Sequence, residues 1–144
     1  MLTNEQKLDF HKIIFTEFSQ FFKNRNDPRQ SLMCFGCECG KGWYELIYDF
    51  LNELNKYCID NKIDFPQIVQ IKEKFALIRI YVEPTTEEIF DIISKYEKIS
   101  SETCEECGEK GEVREDLGYI RTLCDKHYLN YNKDRLKKYK EKHK

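Results

Sequence analysis

The segment Cys104–Tyr128, CEECGEKGEVREDLGYIRTLCDKHY, decides how the C-terminal part of the chain folds. Cys104 and Cys107 stand two residues apart, and Cys124 and His127 repeat that spacing further on. Three thiols and an imidazole are the donor set that Zn²⁺ takes in tetrahedral sites, and a C-x2-C pair reaches one ion only from a tight knuckle. Gly108 supplies the positive φ that such a turn commonly requires. GEVRE and YIRTL, on either side of Asp-Leu-Gly, predict a small hairpin. Cys124 and His127 then fall on the first turn of a helix through YLNYNKDRLKKYKEKHK, on one face.

Knuckle, hairpin and ligand-bearing helix together resemble a treble-clef zinc finger. Three thiolates and Zn²⁺ sum to about -1, and protein fills all four positions, so the ion is expected to be structural, with no place for a catalytic water.

Upstream, the chain predicts an α+β core of helices packed on an antiparallel hairpin over residues 1–100, followed by the zinc module with its basic helix over 101–144. Thr3 and Gln6 form a capping box, and Leu8, His11, Phe15, Phe18 and Phe22 recur at helical spacing. Trp43, Leu46, Ile47, Phe50, Leu54 and Tyr57 share one face of a second helix. QIVQIK and ALIRIYV alternate and are rich in β-branched residues, which predicts paired strands. Thr85 with Glu88 predicts another capping box, opening a third helix on Ile89, Ile92, Ile93, Tyr96 and Ile99.

Composition bounds the class. At 144 residues, 14% aromatic and 35% charged, the chain suits one domain or a core with a small appended module. It has no apolar run long enough for a membrane span, and acids stand where a signal peptide needs bases, so a cytoplasmic location is expected. Seven cysteines, odd in number and partly in tight pairs, suit reduced thiols and metal binding better than disulfides. From Lys126 onward eight Lys or Arg face Asp134 and Glu141, about +6, which leaves about -8 for the rest of a chain whose net charge is -2.

In the hairpin, Ala76, Ile78, Ile80 and Val82, with Val69 and Ile71, are expected on an apolar face. Gln70, Lys72, Arg79 and Tyr81 fall on the other face, where a forked cation, an ammonium, an amide and a ring suit a phosphate-bearing ligand; a solvated sheet surface is the alternative. Cys34, Cys37 and Cys39 suggest a second metal only if Cys58 joins them from the apolar face of the second helix. His11 lies on an apolar stripe, as a satisfied core histidine does, and His143 near the C-terminus needs no function. No P-loop, G-x-S-x-G, H-E-x-x-H or dinucleotide fingerprint occurs.

CGKGWYELIYDFLNEL, IVQIKEKFALIRIYV and CEECGEKGEVREDLGYIRTLCDKH, in this order, resemble a group of small proteins common in phage and prophage genomes. That pattern has Cys-Gly-x-Gly-Trp before a helix, Val-Lys-Glu-Lys-Phe-Gly-Gly-Leu-Arg-Phe-Tyr in a hairpin, and Cys-x-x-Cys-Gly closing on Thr-Leu-Cys. The resemblance covers residues 36–128, places Ala76 and Leu77 at the Gly-Gly positions, and implies a mobile-element setting but no activity.

Three functions follow as expectations. The first is a non-enzymatic binder of an anionic, nucleotide-like molecule through Trp43, Gln70, Lys72, Arg79 and Tyr81, sequestering a signal of host defence. The second is an adaptor for nucleic acid or a partner protein through Lys133, Arg135, Lys137, Lys138, Lys140 and Lys142. The third, an enzyme, would need Glu73 or Glu45 as general acid or base, with no nucleophile or open metal beside them.

Overall fold

The computed structural model describes residues 1–142, without the side chains of Leu136 and Tyr139; His143 lies outside it. Helices α1 (Asn4–Leu8) and α2 (Phe10–Glu17) precede a two-residue strand β1 (Cys37–Glu38) and α3 (Tyr44–Asp60). Strands β2 (Gln67–Lys74) and β3 (Leu77–Glu83) lead to α4 (Glu87–Ser100), then β4 (Glu112–Arg114), β5 (Arg121–Leu123) and α5 (Asp125–Lys142). The protein is α+β: β1-β2-β3 form one sheet and β4-β5 a second.

The first capping box is present, with Gln6 N–H donating to Thr3 Oγ1 at 3.1 Å and Thr3 N–H to Gln6 Oε1 at 2.9 Å. The single helix expected beyond it is instead broken at Asp9, where φ is -101° and ψ 19°. Phe10, Ile14, Phe18, Phe21 and Phe22 are buried, whereas Leu8 is 88% exposed. Two apolar rows run side by side along this segment, and packing chooses between them: Phe10 stacks on Tyr44 with ring centroids 4.2 Å apart.

Helix α3 buries Leu46, Ile47, Phe50, Leu51, Leu54 and Cys58, close to the expected face. Helix α4 is capped by Thr86, not Thr85; Thr86 Oγ1 accepts from Ile89 N–H at 3.3 Å. Its far end is tied to the sheet, because Ser100 Oγ accepts from Ile78 N–H at 3.0 Å.

β2 and β3 pair antiparallel through a two-residue turn at Phe75 and Ala76, whose φ values of +52° and +72° match a type I′ hairpin. A register shift between Ile68 and Gln70 corrects the expected face: Ile68 and Ile71 are buried, and Val69 leaves the apolar row. One extra residue in a strand inverts the alternation that follows it. Here the bulge turns the Val69 carbonyl toward Leu32, whose N–H donates to it at 2.7 Å. On the other side of β2, β1 adds in parallel, Cys37 opposite Ile71 and Glu38 opposite Lys72. Two residues carry no periodicity, so this strand had no signature in the sequence.

Candidate metal centre

The Sγ atoms of Cys104, Cys107 and Cys124 and a ring nitrogen of His127 all lie within 4.8 Å of one another. Cys107 Sγ is 3.7 Å from Cys124 Sγ, and His127 Nδ1 is 3.6 Å from Cys104 Sγ and 3.2 Å from Cys124 Sγ. A tetrahedral ion bound at about 2.3 Å to sulfur and about 2.0–2.1 Å to nitrogen spaces its ligands about 3.8 Å (S to S) and about 3.5 Å (S to N) apart. The cluster can therefore span a metal ion with little movement.

Local backbone chemistry explains the gathering. Gly108, at φ +82°, donates its N–H to the Cys104 carbonyl at 2.9 Å, and Cys104 N–H donates to the Glu109 carbonyl at 2.7 Å, closing the knuckle. Cys124 precedes α5, and its carbonyl accepts from Tyr128 N–H at 2.9 Å. Burial pushes the Cys124 thiol up, but hydrogen bonds from the His127 backbone and ring and from the neighbouring cysteines outweigh it and hold it down at about 7. Burial lifts the Cys107 thiol to about 11.

The knuckle is fastened to the turn before α3. Gly42 N–H donates to the Glu105 carbonyl and Gly40 N–H to Glu105 Oε2, each at 2.8 Å. A Cβ at Gly42 would lie 2.2 Å from the Cys104 carbonyl oxygen, and one at Gly40 would lie 2.4 Å from the Glu105 carbonyl oxygen. Close backbone approach thus demands both glycines of Cys-Gly-Lys-Gly-Trp. Thr122 Oγ1 donates to the Ala76 carbonyl at 2.7 Å, so β5 also grips the hairpin turn.

Sequence reasoning missed Glu105 and Thr122; the paired glycines were the one available signal of a backbone contact. Glu105 is buried, and burial pushes its carboxyl up, against the pull of Gly40 N–H and Arg121. Arg121 Nη2 lies 3.5 Å from Glu105 Oε1, close enough for charge attraction, yet that oxygen accepts no hydrogen bond. The same Nη2 donates to Glu106 Oε1 at 2.8 Å.

Gln70 stands opposite Tyr81 and Lys72 opposite Arg79 across β2 and β3, so these four share one face of the sheet as expected, while Trp43 does not join them. Trp43 is fully buried, with its indole N–H donated to the Thr103 carbonyl at 2.8 Å, and it presents no ring face to a ligand. Gln70 Nε2 donates to Glu38 Oε1 at 3.3 Å, and Lys72 lies on the central strand between Glu38 and Arg79. Arg79 and Tyr81 do meet, in a groove of about 520 Å³ between β3 and α4 that Lys74, Phe75, Phe90 and Glu97 also line. Arg79 is ion-paired there with Glu97. Of the enzyme candidates, Glu73 braces the hairpin turn, its Oε2 accepting from Ala76 N–H at 2.8 Å, and Glu45 lies in the first turn of α3.

Lys133, Arg135, Lys137 and Lys138 are exposed on α5, and Arg135 donates to the Asp116 carbonyl. Cys34 is exposed, Cys39 half-buried, and Cys37 and Cys58 buried; among the described residues they join no metal-ligating cluster. Burial pushes the Cys37 thiol up to about 12 and raises Cys39 as well, which keeps both protonated. His11 Nε2 accepts from Cys37 N–H at 2.9 Å.

Comparison with family models, with curated proteins and with solved structures finds no match to this chain. No helix among the described residues is long and apolar enough to cross a membrane.

Proposed function

We propose that this protein is a zinc-stabilised, non-enzymatic accessory protein of phage or prophage type. It binds an anionic, ring-bearing molecule, a nucleotide above all, in the groove between β3 and α4, and so sequesters a signal of host defence in the host cytoplasm. One observation carries the binding site. Lys74 and Arg79 line the same groove as Phe75, Tyr81 and Phe90, rings that are 67%, 46% and 60% exposed. Clustered exposed rings mark binding surfaces, and cations beside them suit phosphate. Glu97 engages Arg79 Nη1 and leaves the guanidinium other N–H donors for an anion.

In this proposal the ion at Cys104, Cys107, Cys124 and His127 is Zn²⁺ in a treble-clef-like module, residues 101–144, attached to a core of residues 1–100. Zinc supplies folding energy there, and four protein donors leave no position for a reacting water. The resemblance of residues 36–128 to phage proteins supports the mobile-element setting.

Titration calorimetry against mono-, di- and cyclic nucleotides, with chromatography of the recovered ligand, tests the binding site. We expect binding with the ligand intact, weakened about ten- to a hundredfold by Arg79→Ala. Ligand turnover, or equal binding by the variant, would overturn it.

A second reading, an adaptor for nucleic acid, rests on α5. Lys133, Lys137 and Lys138 are exposed there and pair with no carboxylate among the described residues. Binding to DNA or RNA that weakens steeply with salt would favour it.

A further inference from the structure

We propose a second anion site in the cleft beside the metal centre, one that takes a terminal phosphate group, the dianion of a phosphate monoester. It uses none of the residues of the β3–α4 groove and rests on the metal reading alone. The cleft measures about 540 Å³, within the usual range of small-molecule sites, and Asn4, Lys7, Lys41, Glu106, Cys107 and His127 line it.

Three donors point to the ligand's chemistry. His127 faces the Cys104 and Cys124 sulfurs with Nδ1, so metal on that nitrogen fixes the remaining proton on Nε2. A metal-bound histidine ordinarily donates that second N–H to a carboxylate, a carbonyl or water. Among the described residues no protein group accepts it, and the ring borders the cleft. Lys7 comes from α1 and Lys41 from the glycine turn before α3, and neither pairs with a carboxylate among the described residues. The one carboxylate on the lining, Glu106, is already engaged by Arg121 and by the Tyr131 hydroxyl, each at 2.8 Å.

The number of donors decides the class. The metal with three thiolates carries about -1, which one ammonium offsets; the second ammonium and the imidazole N–H remain for an incoming anion. A phosphate monoester brings close to two negative charges and three acceptor oxygens, one for each of the three donors. A phosphodiester has only two free oxygens for the three donors, so the backbone of a nucleic acid fits less well.

The test uses the full-length, zinc-loaded protein. Inorganic phosphate, a nucleoside 5′-monophosphate and a dinucleoside phosphodiester are each titrated calorimetrically while the His127 Nε2 resonance is followed by NMR. We expect saturable binding of the first two with a shift of that resonance, and clearly weaker binding of the diester. Lys7→Ala with Lys41→Ala should weaken phosphate binding at least about tenfold, while Arg79→Ala leaves it unchanged. Lys41→Ala alone, at an exposed position, should show part of that loss in a protein whose melting curve is unaltered. Unsaturable titration, equal binding of the diester, or indifference to the double substitution would overturn the proposal. So would a double variant whose only defect is weaker zinc binding, because the lysines would then serve only to offset the thiolate charge.

Discussion

A methyl group on Gly42 would lie 2.2 Å from the Cys104 carbonyl oxygen and 2.6 Å from Glu105 backbone atoms, none of which can swing aside. Gly42→Ala is therefore expected to destabilise the protein by about 3 kcal/mol, the upper end for overpacking. Gly118, at φ +84° with nothing within 4 Å of an added Cβ, should cost only about 1–2 kcal/mol as Gly118→Ala, from backbone strain alone. Denaturant melts of the two variants check the order, and a reversed order would refute the close approach. His11 carries a pH dependence. Its Nε2 accepts from Cys37 N–H, and burial lowers its pKa from the ordinary 6.5, so the fold favours the neutral ring. Protons then bind the unfolded chain more readily; the stability from His11 is whole above pH 6.5 and is lost as pH falls through the lowered folded value. The melting temperature of wild type should exceed that of His11→Gln most above pH 6.5, with the gap closing below it. The gathering of Cys104, Cys107, Cys124 and His127 was legible because the spacing within each pair is local. Trp43 was misread because nothing nearby in the chain says whether an aromatic ring before a helix meets solvent or the distant Thr103 carbonyl.

The terminal helix α5 illustrates what an element owes to its contacts. Its side-chain bonds to the module come early: Tyr131 to Arg121 and Glu106 at 2.8 Å, Tyr128 to Asp116, and Arg135 to the Asp116 carbonyl. Removal of residues 133–144 deletes only the last of these, a surface contact worth at most about 1 kcal/mol. The truncated protein should keep its circular dichroism per residue in the core and melt within a few degrees of wild type. If the adaptor reading holds, the same truncation should flatten the salt dependence of nucleic-acid affinity. A collapse in stability would instead show this helix to be docked. The hairpin, α3, α4 and the β4–β5 pair were all legible from period and turn chemistry. The break at Asp9, the bulge at Val69, the cap at Thr86 and strand β1 were not, since each is chosen by a hydrogen bond or a packing partner outside its own segment.

The whole molecule depends on how the segment that carries the cluster of Cys104, Cys107, Cys124 and His127 meets the core. The module's own buried apolar set is small, Cys104, Leu117 and Leu123, so a bound ion is expected to supply much of its cooperativity. Trp43, the sole tryptophan, is buried and bonded to Thr103 next to Cys104, which makes it a reporter of that junction. Chelation, or Cys107→Ser, should remove about one zinc per chain, red-shift the Trp43 emission and abolish the module's unfolding transition while the α3 and β-sheet core stays folded. Metal-free protein with unchanged emission and melting would refute this, and two zincs per chain would restore Cys34, Cys37 and Cys39 as candidates. By itself the sequence determined the Cys104, Cys107, Cys124 and His127 cluster, the α+β class and most helices and strands, because each rests on period, spacing or turn chemistry within a few residues. Tertiary structure alone decided that Gly40 and Gly42 clasp the knuckle, that Trp43 is buried, and that Arg79 and Tyr81 share a groove with Phe75 and Phe90 while Gln70 and Lys72 do not. Those facts depend on which surfaces meet across the chain, and burial and backbone approach between distant segments leave no periodic trace in either one.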